Sequence, residues 1–265
     1  TVTIVEGIRG KGARVEFAQG VQIAKTYSSM FDQMVGGPQP KAWTAEQADA
    51  EFRKAMELAN RADVVVLAMG ELALMSAELA SQSSLEFPGR QRELMEAVAA
   101  TGKPVVLVMV NGRPLNLVWA SRHIPAILEV WHPGTEGGNA VADLLFGDAN
   151  PGGKLPVSWP RDAGQIPIYY AHNLTHQPET AAGFQSRYWD QPSKPLYPFG
   201  HGLSYSKFAV SNLRLAAEAV KLGGTLEVMA DVENTSSRDG DEVVQLYIHQ
   251  KAGKASRPVR QLKGF

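Results

Sequence analysis

Two continuous apolar runs, "DVVVLAMG" at 63–70 and "KPVVLVMV" at 103–110, constrain the fold of this chain more than any other feature. Each has the length of a strand and no polar alternation, so each calls for cover on both faces, the situation of an inner strand in a parallel sheet. "PAILEVW" at 125–131 predicts a third such strand. Helical patterns lie between them. Thr44 and Gln47 have capping-box spacing, and Ala48, Phe52, Ala55, Met56 and Ala59 then recur at helical intervals. Pro88 and Gly89 open a second helix whose Leu94, Met95 and Val98 share a face, and Gly102 closes it. A further helix is expected from about Gly138 to Phe146, and "KLPVSWP" (154–160) predicts one more strand. Strand–helix–strand units with short connections imply an α/β fold, a mostly parallel sheet with helices on both faces.

The pattern changes near residue 205. "TLEVMADVEN" alternates Leu226, Val228, Ala230 and Val232, and "EVVQLYIHQ" alternates Val244, Leu246 and Ile248. Such alternation predicts half-buried antiparallel strands with those residues inward. The roughly 58 residues that follow Lys207 are fewer than the ~100 of a complete seven-stranded sandwich. The expectation is an α/β sandwich over 1–205 and an incomplete β-sandwich over 206–265. The opening "TVTIVEGIRGKGARVEF" has neither an initiator Met nor the apolar core of a signal peptide and reads as a cut end.

Ligands of an open parallel sheet bind beyond the carboxyl ends of its strands. The loops there are "GELALMSAELASQSSLEF", "NGRP" and "HPGTEGGN", with Glu71, Glu78, Asn111, Arg113, His132, Glu136 and Asn139 as their polar residues. The glycine-rich turn "GTEGGNAV" has the outline of a phosphate cradle. It places a glutamate in the turn, however, and has no Lys, so a nucleotide site is rejected. Several carboxylates with one Arg suit acid–base chemistry on a neutral polyol. A formal net charge of -1 gives no reason to expect nucleic acid or an anionic membrane as partner. The apolar runs fall far short of the ~20 residues of a membrane helix. The absence of cysteine excludes disulfides and thiolate metal sites.

Two longer motifs then become specific. "WHPGTEGGNAVADLLFGDANPGGKLPVSWPR", followed some forty residues on by "LYPFGHGLSYSKF", resembles the C-terminal region of glycoside hydrolase family 3, with bacterial periplasmic β-glucosidases as the nearest likeness. "VVVLAMGE", "TGKPVVLVMVNGRPL", "GQIPIYY" and "SRPVRQLKGF" fall in that family's order and at its spacings, so the resemblance spans essentially the whole chain. It implies a three-part enzyme of barrel, α/β sandwich and fibronectin type III-like domain. This chain is similar to the second part, lacking its first strand, and an incomplete third.

The resemblance implies a retaining β-glucosidase that acts on terminal non-reducing β-D-glucosyl residues of a β-glucoside or oligosaccharide, in the periplasm or outside the cell. Such enzymes use two carboxylates about 5–5.5 Å apart. The nucleophile is an aspartate of the barrel in a Ser-Asp-Trp-type motif, which these residues do not contain, so a barrel domain from the parent protein or another chain is the expected partner. The general acid/base comes from the loop after the "GE" strand end. Gly70, Glu71, Glu78 and Pro88 match its spacing, which makes Glu78 the catalytic candidate, with Glu71 and Arg113 in support. The family usually has other residues where Leu74, Ala77 and Gln82 stand. "LALMSAELA" is unusually helix-forming, which suggests either a short helix presenting Glu78 or a site that has drifted. The alternative is a non-catalytic scaffold or carbohydrate-binding module derived from the same family.

Other residues receive plainer readings. His172 and His176 have the i, i+4 spacing of metal ligands but lie in a segment with little helical character, so no metal site is expected and no cofactor is implied. "NLT" and "NTS" match the glycosylation acceptor pattern, meaningful only in a eukaryotic secretory setting. Gly200 and Gly202 suit a tight turn, and Trp131, Trp159 and Trp189 are read as buried aromatics.

Overall fold

A computed structural model describes residues 1–23, 41–78, 80–173 and 187–265. His176 and the end of "NLT" lie outside the described residues. The chain divides into two compact units. One comprises residues 1–146, 159–168 and 187–197; the other comprises 147–158, 169–186 and 198–265.

The first unit is built on a three-stranded parallel sheet of β1 (Val65–Gly70), β2 (Val105–Val110) and β3 (Ala126–Glu129), in that order. Val65 to Gly70 pair with Val105 to Val110, and Val106 to Met109 pair with Ala126 to Glu129. The central strand is the best covered: Leu107, Val108 and Met109 are fully buried, and Leu67 and Met69 of β1 are buried beside them. Each such side chain contributes about 1.5–3 kcal/mol by leaving water, so the apolar runs dictate the sheet.

Helices α1 (Ile4–Gly10), α2 (Ala45–Arg61), α3 (Gln91–Ala99), α4 (Ala120–His123) and α5 (Gly137–Phe146) accompany this sheet. The predicted capping box of α2 is formed: Thr44 Oγ1 accepts from the Gln47 N–H, and Gln47 Oε1 accepts from the Thr44 N–H. In α3, Leu94, Met95 and Val98 are all buried, as their spacing predicts. Gly102 follows at φ +72°, a conformation that disfavours further helix. Helix α1 was not anticipated, although Thr3 and Glu6 form the same reciprocal cap. It packs on α5 through backbone: a Cβ on Gly7 would lie 2.0 Å from the Gly138 carbonyl oxygen, and one on Gly138 would lie 2.1 Å from Thr3 O. Lys11, just past the end of α1, pairs with Asp143 of α5.

The strand expected over 154–160 is not formed. Pro156 and Pro160 have no N–H to give to a ladder, and the segment makes a single antiparallel bridge, Trp159 with Tyr197. Trp159 is nonetheless a core residue, 1% exposed, and its indole N–H donates to Leu115 O at 2.8 Å.

The second unit contains two antiparallel pairs, β4 (Phe208–Leu215) with β5 (Val228–Asn234) and β6 (Leu246–Ile248) with β7 (Gln261–Gly264). Strand direction matches expectation, but burial does not. Val210, Leu213, Leu215 and Val232 are exposed, and among the described residues β4 and β5 form a sheet of two strands. Around β6 the buried face is the opposite one. Val244, Leu246 and Ile248 are exposed, whereas Gln245 and Tyr247 are half-buried. Tyr247 is drawn inward by aromatic contact: it meets Tyr170 edge-on at 5.9 Å, and Tyr170 stacks on Phe199 at 4.3 Å. Asn150 ties this unit together, donating to Ser206 Oγ and Asp239 O and accepting from Ser204 Oγ and the Tyr205 N–H. Gly200 has φ +79°, which suits a turn, and a Cβ on Gly202 would lie 2.2 Å from Gly153 O, so the second glycine serves a close backbone approach.

Candidate active site

The first polar cluster forms where β1 ends. Gly70 has φ +149°, and a Cβ there would come within 1.8 Å of Val110 O, so glycine alone fits. The chain turns at this point and sends Glu71 inward, with its side chain fully buried. Its two oxygens have separate partners. Oε1 accepts from Arg113 Nη2 at 2.6 Å, and Oε2 accepts from Ser76 Oγ at 2.7 Å. A buried carboxylate requires such a counter-charge, and Arg113 supplies it from the loop after β2.

Gln91, at the start of α3, fastens both ends of the Glu78 loop. Its side-chain amide donates to Gly70 O at 2.8 Å and Pro88 O at 2.9 Å, and accepts from the Gly70 N–H at 2.8 Å. The far half of the loop is held by buried Leu85 and Phe87 and by Asn116, whose backbone N–H donates to Leu85 O. Within this frame, residues 73–75 form a single 3-10 turn in place of a longer helix. Ala77 and Ala80 then exchange both backbone hydrogen bonds, at 3.2 and 3.0 Å. Glu78 sits in the tight turn so closed, its side chain exposed.

The ends of β2 and β3 complete the edge. Asn111 is fully buried; its Nδ2 donates to Arg113 O at 2.8 Å, and its Oδ1 is without a partner. A Cβ on Gly112 would meet Ser76 Cβ at 2.8 Å and His132 Nε2 at 2.9 Å, so both residues close on that glycine. Glu129, the last residue of β3, accepts from the Trp131 N–H at 2.9 Å through Oε1, while its Oε2 is buried without a partner. Burial pushes the Glu129 carboxyl up to about 7, against smaller opposing effects of the Trp131 N–H and the Asn111 side chain.

The edge therefore brings Glu71, Arg113, Asn111 and His132 together. Glu136 and Asn139 instead bond to each other, Nδ2 to Oε2 at 2.7 Å. The glycine turn before α5 is not a phosphate cradle: the Gly138 N–H donates to Val2 O and the Gly137 N–H to Gly134 O. Trp189 is 97% exposed, contrary to the expectation of burial. Among the described residues there is no cluster of metal-ligating side chains, and no helix is long and apolar enough to cross a membrane. Sequence reading missed Ser76, Gln91 and Glu129. Glu129 had a signal, a carboxylate ending an otherwise apolar strand; Ser76 and Gln91 had none.

Residues 1–205 match the glycosyl hydrolase family 3 C-terminal domain, and residues 242–265 match a fibronectin type III-like domain. The chain belongs to glycoside hydrolase family 3. Among its family 3 relatives, a periplasmic β-glucosidase of Salmonella typhimurium is 43% identical, with all of this chain and 35% of the relative covered. A β-xylosidase of Formosa agariphila is 40% identical over 81% of this chain and 29% of its own length. Of solved structures, a β-glucosidase from Erythrobacter marinus superposes with a TM-score of 0.86 at 34% identity, covering 99% of this chain and 36% of that one. A Listeria innocua β-glucosidase in complex with glucose gives 0.77 at 38% identity, covering 86% and 31%. This family 3 chain thus spans about a third of the length of the relatives it matches.

Proposed function

We propose that the chain provides the general acid/base of a retaining β-glucosidase-like exo-hydrolase, with Glu78 in that role and an aspartate nucleophile on a barrel domain outside these 265 residues. The observation in support is the mounting of Glu78: an exposed carboxyl on a tight turn, in a loop tied at both ends by Gln91 and braced by the Glu71–Arg113 pair. In the first step the aspartate oxygen bonds to the anomeric carbon while Glu78 gives its proton to the departing glycosidic oxygen. In the second, Glu78 takes a proton from water as the water oxygen displaces the aspartate. Glu71 and Arg113 hold the loop. The substrate class is terminal non-reducing β-D-glucosyl residues, and the compartment is the periplasm or the outside of the cell, both by likeness to the relatives.

The test joins this chain to a family 3 barrel domain and compares it with its Glu78→Gln variant. Loss of general acid/base catalysis lowers turnover about 10²–10⁴-fold for a poor leaving group, and less for an activated aryl glucoside. Equal turnover in both proteins overturns the role of Glu78. It would favour the non-catalytic scaffold or carbohydrate-binding module, a reading that draws on the departures at Leu74, Ala77 and Gln82.

A further inference from the structure

A cavity of about 490 Å³ opens between residues 17–19 and the first three turns of α2, all within the first unit. Its volume falls in the roughly 300–1,000 Å³ of small-molecule sites. The α2 wall consists of Gln47, Ala50, Glu51 and Lys54, spaced i, i+3, i+4 and i+7, hence one face of the helix. Glu51 is half-buried and the other three are exposed. Ala50 carries only a methyl group and leaves the middle of that face low. Phe17, 59% exposed, and half-buried Trp43 supply the apolar lining, and among the described residues neither ring stacks on another ring or a cation.

The walls are fixed by bonds of their own. The Trp43 N–H donates to Gln22 Oε1 at 2.8 Å, and Gln22 Nε2 donates to Lys41 O at 3.0 Å. Glu16, beside Phe17, accepts from Arg61 Nε of α2 at 2.9 Å. Gly20 has φ +71°, and a Cβ there would lie 2.8 Å from Leu94 Cδ2, so the segment is seated closely on α3. The polar groups of the lining, by contrast, are largely unused. Among the described residues the Gln19 amide and the Trp43 indole N–H have no hydrogen-bond partner. Gln47 spends its Oε1 on the Thr44 N–H and keeps Nε2 to give. Lys54 pairs with Glu51 at 3.5 Å, so the lining carries no net charge.

We propose that this cavity binds a neutral gluco-oligosaccharide, with Phe17 and Trp43 against the C–H face of a sugar ring and Gln19, Gln47 and Glu51 bonded to its hydroxyls. An anion needs a cation that is not already paired, and an apolar ligand needs a drier lining. Sugar hydroxyls both give and accept hydrogen bonds, as amides do, while the ring C–H groups bury against aromatic carbon. The choice of glucose among neutral polyols rests on the proposed function; the cavity and its donor set do not. The lining shares no residue with the loop that bears Glu78, so the site retains a chain on the protein and takes no part in bond cleavage.

The experiment is a titration of the whole chain, labelled with nitrogen-15 at its 5 Trp indoles, with cellotetraose. Trp43→Phe assigns the Trp43 signal. The expected result is a saturable shift of that signal with a dissociation constant on the order of 1 mM. Phe17→Ala weakens binding about tenfold and leaves the melting temperature in place, since the ring is a surface group, and Phe17→Tyr retains the affinity. The proposal is overturned if the Trp43 signal of the unmutated chain stays still at about 20 mM cellotetraose, a readout that needs no variant. It is equally overturned if glycerol at the same mass concentration gives the same shift, or if Phe17→Ala binds as tightly as the parent. Binding is read without hydrolysis, so its failure leaves the Glu78 assignment standing, and a failed Glu78 assignment leaves this site standing.

Discussion

Gln91 holds Gly70 from both sides, its amide nitrogen 2.8 Å from the Gly70 carbonyl oxygen and its amide oxygen 2.8 Å from the Gly70 nitrogen. A side chain thus completes the backbone bonding at the point where β1 gives way to the Glu78 loop. Gln91→Leu leaves a donor and two acceptors without partners, at a cost of about 2–3 kcal/mol, or a fall in melting temperature of about 4–12 °C by calorimetry. Gln91→Glu keeps the acceptor arm but sets a carboxylate against two carbonyl oxygens. It is expected to be less stable at pH 7 than at pH 5.

Gly70→Ala is expected to be the most damaging single change. The added carbon would overlap Val110 O, a backbone atom of the central strand that cannot step aside. The expected cost exceeds about 4 kcal/mol, which empties the soluble fraction on expression. A well-folded variant with the parent's circular dichroism and melting temperature would contradict the close approach.

The Glu71–Arg113 pair is suited to a double-mutant cycle. Arg113→Met strands a fully buried carboxylate and is expected to cost about 3–5 kcal/mol, whereas Glu71→Gln with Arg113→Met recovers much of that loss. Urea denaturation of the four proteins measures the coupling. Additive losses would mean that the two side chains do not depend on each other.

His201 gives the second unit a pH response. Burial, aided by the charge of Lys154, holds its imidazole below the ordinary 6.5. The unfolded chain therefore binds the proton first, and stability present above pH 6.5 is lost as pH falls toward the folded value. Melting curves of the chain and of His201→Gln between pH 5.5 and 7.5 isolate this contribution as their difference. A pH-independent difference would show that the imidazole is equally basic in both states.

Much of this architecture could be read before any coordinates. The runs at 63–70 and 103–110 became adjacent parallel strands because nothing but burial on two faces satisfies them, and Thr44 with Gln47 set the start of α2. Helix α1 escaped notice because Gly7 and Gly10 weaken its helical character, although Thr3 and Glu6 carried the cap signal. Around β6 the alternation was real but the inward face was misassigned, since Tyr247 has aromatic partners distant in sequence. At the site, Glu71 and Arg113 were found from loop position and charge. The bracing by Gln91 and Ser76 depends on the path of the loop, which periodicity does not encode.

The contact of α1 with α5 bears on the order in which the molecule assembles. Gly7 and Gly138 are about 130 residues apart in the chain, whereas Val65 and Val105, paired in the sheet, are 40 apart. Closing the longer loop costs about 1 kcal/mol more chain entropy, and the short helix brings little apolar surface in return. Helix α1 is then expected to dock last during folding and to detach first in the native state. Amide exchange measures this directly: the protons of Ile8 to Gly10 should exchange through a partial opening, while those of Leu107 to Met109 wait for the whole unit to unfold.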